Sequence, residues 1–109
     1  MRQDRERLLD IHDAITGIEK YAQRGRQEFE KEELIQTWII HHLLILGEAA
    51  SALSDTFKEQ HAAIPWSKIV GMRNILVHDY FEIDVDIVWS VVESDLPQLK
   101  RFIEEVLRQ

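Results

Sequence analysis

The chain has 109 residues, 45% hydrophobic and 30% charged, which suits one globular domain over residues 1–109 and is too apolar for a disordered chain. It carries 13 Lys and Arg against 20 Asp and Glu, a formal net charge of -7. That balance argues against a broad surface for duplex DNA or an anionic membrane, though not against a small basic pocket. With no cysteine, a disulfide framework, a thiolate zinc site and a cysteine nucleophile are all excluded.

The opening Met1-Arg2-Gln3-Asp4-Arg5-Glu6-Arg7 mixes charges around no apolar stretch, so no signal peptide is expected there. No apolar run approaches the roughly 18 residues of a membrane span, and a cytoplasmic protein is expected. Four Gly and two Pro in the whole chain favour a few long helices over many short strands. The first helix shows in Leu8, Ile11, Ile15, Ile18 and Ala22, one apolar stripe with Arg5, Glu6, Asp13, Glu19 and Lys20 outside it. Gly25 and the charged stretch to Lys31 read as a connection.

A second helix is predicted from about Glu32 to Phe57, with Glu32 and Glu33 at an N-terminus that favours negative charge. Its core stripe reads Leu34, Trp38, Leu43, Leu46, Ala50, Leu53 and Phe57. From Trp38 to Leu46 it is apolar around most of its circumference, so it needs cover on more than one side. In so small a chain, a second copy is the expected cover. Pro65 suits the first turn of a third helix through Trp66, Ile69, Val70 and Leu76, whose pattern becomes unclear between Arg73 and Phe81. Asp84 is placed to cap a fourth helix carrying Val85, Val88, Trp89, Val92, Leu96, Leu99, Ile103 and Val106, with Pro97 kinking it. Short connections between such helices give an all-α, antiparallel up-and-down bundle.

Most standard chemistry has no motif here. No Glu stands three residues before a His, and His-Glu-x-x-His is missing. His41 and His42 are adjacent, hence about 100° apart on a helix, and read as a core or interface histidine with its neighbour. No metal site and no cofactor are expected. Glycine-rich phosphate loops and a Gly-x-Ser-x-Gly elbow are also missing, and Gly47 and Gly71 inside helices point to close helix–helix approach.

The stretch from Arg73 to Tyr80 differs, gathering a guanidinium, an amide, an imidazole, a carboxylate and a phenol within an apolar segment. An Arg and a His aimed at one spot suit a phosphodiester, the first as a forked cationic donor and the second as a proton carrier near neutrality. Five residues separate Arg73 from His78, about 140° on a continuous helix, so they converge only if the helix ends between them. The other reading pairs Arg73 with Glu48 or Asp79 and leaves His78 to cap a helix end.

Arg73-Asn74-Ile75-Leu76-Val77-His78-Asp79-Tyr80 has the form Arg-x4-His-x-Tyr. With Leu46-Gly47-Glu48-Ala49-Ala50, Ile64-Pro65-Trp66, Gly71-Met72, Tyr80-Phe81, Ile87-Val88-Trp89 and Asp95-Leu96-Pro97, it resembles the HepT toxins of the HEPN superfamily over residues 5 to 107. The resemblance implies a four- to five-helix HEPN bundle acting as a homodimer, in which Arg and His of both subunits line one cleft and cut RNA without metal. Carried over by position, Arg73 would steady charge on the phosphoryl transition state. His78 would be the general acid and base for attack of the 2′-hydroxyl, leaving a 2′,3′-cyclic phosphate. Asn74 would orient the phosphate, and Glu48 would hold Arg73 or a histidine in place unless it is simply a helix-surface carboxylate. Tyr80 matches the tyrosine that, in the family, the nucleotidyltransferase antitoxin MntA modifies with AMP; a phenol two residues past His78 would then place bulk and phosphate in the cleft. The alternative of a different class is a catalytically idle HEPN subunit that binds a nucleotidyltransferase partner.

Overall fold

The computed structural model describes residues 2–79 and 82–109. Among these residues the regular structure is all helical: α1 (Arg2–Ala22), α2 (Arg26–Lys31), α3 (Glu33–Ser51), α4 (Asp55–Gln60), α5 (Trp66–His78), α6 (Val85–Ser90), a π-helical turn (Val91–Asp95) and α7 (Leu96–Arg108). α6, the π turn and α7 run on as one rod, so four long helices carry the fold and α2 and α4 fill the connections. No described helix is long and apolar enough to cross a membrane.

α1 is the spine of an antiparallel bundle. Down one side, Asp4 meets Ser54, Gly17 meets Trp38 and His42, and Tyr21 packs its ring edge-on against Trp38. Down the other, Arg5 reaches the Leu107 carbonyl, His12 meets Glu104 and Glu19 meets Lys100, so α7 also runs opposite to α1. The predicted stripe of α1 is the one that is buried: Leu8, Ile11, Ile15 and Ile18 lie in the core and Ala22 packs at its edge. Gly17 allows the contact with α3, because a Cβ there would stand 2.6 Å from the His42 ring.

The expected single helix from 32 to 57 is two. α3 ends at Ser51, and Ser54 starts α4 by accepting from the Phe57 N–H, as a serine N-cap does. Ser54 is fixed in turn by Asp4, whose carboxylate accepts from the Ser54 N–H at 2.8 Å and its hydroxyl at 2.7 Å. Burial raises the Asp4 carboxyl, but these two hydrogen bonds outweigh it and leave the group below its ordinary value of 3.8. The N-terminal half of the predicted stripe is one position out. Ile35 and Ile39 are buried, whereas Leu34 and Trp38 face outward, and the register rejoins the prediction at Leu43, Leu46, Ala50, Leu53 and Phe57.

The connection after Gly25 also departs from expectation. Gly25 turns the chain at φ +94°, a conformation that favours glycine, and α2 follows, burying Phe29 against Trp89. Pro65 stands just before α5 rather than in its first turn. Asp84 caps α6 as predicted, accepting from the Asp86 N–H. The π turn immediately before Pro97 takes up the missing donor, so the rod continues into α7.

A candidate ribonuclease site on helix five

Arg73, Asn74 and His78 all lie on α5, and Glu48 lies on α3 where the two helices touch. The closeness of that contact is set by Gly47: a Cβ there would stand 2.3 Å from the Arg73 Cβ and 2.9 Å from its Cγ. The expectation of a close helix approach therefore holds at Gly47. It does not hold at Gly71, around which nothing lies within 4 Å of where a Cβ would stand.

The Arg73 guanidinium is held on two sides. Its Nε donates to Glu48 Oε1 at 2.7 Å, its Nη2 lies 2.6 Å from the same oxygen, and its Nη1 donates to Asn74 Oδ1 at 2.8 Å. Three of the five N–H donors of the guanidinium thereby face described residues, and two are left to donate to a phosphate oxygen. Glu48 is the group that orients Arg73, and no histidine shares it among the described residues. The Arg73 side chain is 28% exposed, enough to meet a ligand while its stem packs on α3.

α5 does not end between Arg73 and His78. It runs unbroken to His78, and Asp79 closes it by donating its N–H to the Ile75 carbonyl. The turn that would bring the two side chains together in one copy is therefore not there, and they leave the helix about 140° apart. Asn74 and His78, four residues apart, share the outward stripe with Gly71 instead. His78 is exposed and makes no hydrogen bond to a described residue, so its imidazole is available to carry a proton. Asp79 is exposed and does not pair with Arg73. Tyr80 lies outside the described residues.

Two other sequence candidates resolve simply. His41 is exposed, while His42 stacks on Trp38 with ring centroids 4.3 Å apart and shares a 2.8 Å hydrogen bond with the Trp38 carbonyl. An apolar hollow between Leu43, Leu46, Ile69, Met72 and Leu99 lies on the core side of α5, away from Asn74 and His78, with the Lys68–Asp95 pair (2.9 Å) among the residues around it. It offers no group for phosphodiester chemistry.

Residues 11–106 match the family model "Ribonuclease HepT-like". The chain belongs to the HepT-like ribonuclease family. Among its relatives are "Putative RNase MJ1380" of Methanocaldococcus jannaschii, 39% identical over 91% of this chain and 92% of that one, and "Probable ribonuclease HepT" of Thermococcus cleftensis, 35% identical over 96% of each. The "mRNA nuclease HepT" of Shewanella oneidensis is 49% identical over a shorter stretch, 36% of this chain and 29% of its own. No solved structure matches the chain. The family supports endoribonuclease activity for this HepT-like chain. Arg73, Asn74 and His78, nominated from the sequence, all lie on α5; the sequence reading missed Gly17 and α2, whose close contacts depend on partners distant in sequence.

Proposed function

We propose that this HepT-like chain is the toxin of a toxin–antitoxin pair, a cytoplasmic homodimer that cuts RNA without a metal ion. The observation that carries the reading is an exposed His78, without a described partner, on the same rigid helix as an Arg73 already oriented by Glu48 and Asn74. His78 takes the proton of a ribose 2′-hydroxyl. The 2′ oxygen attacks phosphorus, the bond to the 5′ oxygen breaks, and that oxygen leaves with a proton from an imidazolium. The products are a 2′,3′-cyclic phosphate and a 5′-hydroxyl. The two uncommitted N–H groups of Arg73 bind the non-bridging oxygens as charge builds on them. Since one copy aims Arg73 and His78 apart, the second copy supplies the complementary group across the cleft.

Tyr80, two residues beyond His78, is the position at which a cognate MntA-type nucleotidyltransferase would attach AMP from ATP. The adenylate would bring a phosphate to Arg73 and block RNA by charge and bulk. The name of the Shewanella relative, an mRNA nuclease, supports RNA as the substrate.

The test is RNA cleavage in chelator by mass-verified unmodified protein, beside His78→Ala from the same preparation. Cleavage by the wild type alone is expected, with identical helical signal, because His78 is at the surface. Equal cleavage by both proteins would refute the reading. One observation favours the idle-subunit alternative: Arg73 is already paired with a carboxylate. That alternative expects a stoichiometric complex with the nucleotidyltransferase and intact RNA in the presence of free protein.

A further inference from the structure

Lys20 and Arg24, four residues apart on α1, stand over aromatic rings instead of carboxylates. The Lys20 Nζ lies 5.6 Å from the Tyr21 ring centroid and 5.9 Å from that of Trp38, and the Arg24 guanidinium carbon lies 5.0 Å from Tyr21. Neither cation pairs with a carboxylate among the described residues. The rings beneath them belong to a longer array. Tyr21 meets Trp38 edge-on at 5.3 Å, Trp38 lies on His42 at 4.3 Å, and His42 meets His41 at 5.4 Å. The Trp38 ring is fixed by its own N–H, which donates to the Gly17 carbonyl at 2.7 Å, yet the residue stays 36% exposed. Exposed rings bordered by cations without carboxylate partners suit single-stranded nucleic acid, which lays bases on the rings and phosphates on the cations.

Tyr21, Trp38 and His41 wall a hollow of about 730 Å³, room enough for a nucleotide. Arg24 borders it, and so do Glu28 and Glu32, whose side chains accept no hydrogen bond from a described residue. Its occupant must satisfy both signs of charge. A simple cation suits the two carboxylates but meets Arg24 and Lys20, and a simple anion has the reverse difficulty. A guanosine nucleotide fits both. The N1–H and 2-amino group of guanine, adjacent on one edge, offer a carboxylate two parallel donors, while the phosphate lies at the other end of the molecule. The other bases present no such pair of donors. Base choice also needs a place of its own, because the groups proposed at Arg73 and His78 meet phosphate and ribose, which every nucleotide shares.

We infer that this hollow is a guanine subsite for the RNA strand. The base lies on the Tyr21 and Trp38 rings, its donor edge meets Glu28 or Glu32, and its phosphate meets Arg24 and Lys20. The inference rests on the ribonuclease reading above and gives it a specificity site. Trp38 and Glu48 are ten residues apart on α3, about 15 Å, so a strand anchored in the hollow reaches Arg73 a few nucleotides along.

Trp66 and Trp89 are buried and Trp38 is exposed, so quenching of tryptophan fluorescence by a nucleotide reports this hollow. Guanosine 5′-monophosphate is expected to quench and to bind about tenfold or more tighter than adenosine 5′-monophosphate, the discrimination that one paired-donor contact gives. Trp38→Phe should remove the quench. Glu28→Ala with Glu32→Ala, neither of them buried, should erase the preference for guanosine with helical content unchanged. In cleavage, a short RNA with one G a few nucleotides from the cut should show a lower KM than its A-substituted counterpart, an advantage lost in the double variant. Equal binding of the two nucleotides overturns the inference, as does a guanosine preference that survives the double variant or a quench that persists in Trp38→Phe. Quenching by arginine amide or inorganic phosphate in place of the nucleotide would mark a simple cation or anion site and overturn it equally. The titration needs no cleavage: guanosine binding by a protein that leaves RNA intact refutes the ribonuclease reading alone, and cleavage by a protein that ignores guanosine refutes the subsite alone.

Discussion

Gly47 and Gly71 make a controlled pair of substitutions around Arg73. Both lie inside helices, so replacing either with alanine gains about 1 kcal/mol of helix propensity. Their surroundings are opposite. At Gly71 the new methyl meets nothing within 4 Å, and Gly71→Ala is expected to stabilise the chain by about that 1 kcal/mol. At Gly47 the methyl would stand 2.3 Å from the Arg73 Cβ, where carbon atoms rest at about 3.5–4.0 Å, so α3 and α5 must part by roughly 1 Å or more. Overpacking of that kind costs about 1–3 kcal/mol. Propensity cancels between the two variants, so the difference in their unfolding free energies isolates the steric cost, about 1–3 kcal/mol, readable from urea midpoints at equal slope. The displaced residue is Arg73 itself, and if Arg73 acts as proposed, a shift of this size there costs on the order of 100-fold in rate. Gly47→Ala is therefore expected to lose far more RNA cleavage than its modest loss of stability explains. Equal stability in the two variants, with cleavage retained in Gly47→Ala, would refute the reasoning.

Two further outcomes are expected from the bundle. Ile39, fully buried in the middle of α3, should cost about 2–5 kcal/mol when cut to alanine, read as a lower urea midpoint. Asp4→Asn should cost about 1–3 kcal/mol near neutrality, because the carboxylate that ties the start of α1 to Ser54 is buried. Its pH dependence has a definite sign. The Asp4 carboxyl is lower in the folded chain than its ordinary 3.8, so its contribution is full above that value and fades as pH falls through the folded value. Unfolding of wild type and variant followed from pH 7 to pH 2 should show a gap that is constant to about pH 4 and narrows below it; a gap that widens on acidification would count against the assignment.

The legible parts of the fold were those where one physical demand acts alone. α1 has a single buried stripe, and its five apolar positions name it without ambiguity. α7 and the Asp84 cap were equally plain. In α3 two demands overlap, a core face and an outward apolar strip offset by one residue, so Leu34 and Trp38 read as core when Ile35 and Ile39 hold that place. α2 hides because only Phe29 in it is buried, too little for a periodic signal. At the site, the residue types and their order were visible, whereas the direction of each side chain depended on whether α5 continues past Arg73. It does, sealed by the Asp79 N–H on the Ile75 carbonyl. That one continuity sends the side chains of Arg73 and His78 out about 140° apart on the helix.

The pairing of Arg73 with Glu48 then has a consequence that separates positioning from plain charge. In the proposed function, an acidic chain that binds RNA would hold a carboxylate 2.6 Å from the guanidinium that meets the phosphate, which would cost affinity for a polyanion. The same carboxylate fixes the direction of the guanidinium, which matters only once charge develops in the transition state. The two roles come apart by substitution. Glu48→Gln keeps an acceptor oxygen for Arg73 Nε and removes the negative charge, so RNA should bind more tightly with kcat nearly kept. Glu48→Ala removes both, so binding should tighten again while kcat falls on the order of 10- to 100-fold as the guanidinium loses its direction. Steady-state cleavage of a short RNA, with KM and kcat measured separately, reads both. A parallel fall of kcat in Gln and Ala variants would mean that the charge itself is needed, and an unchanged kcat in both would mean that Glu48 does not position Arg73 at all.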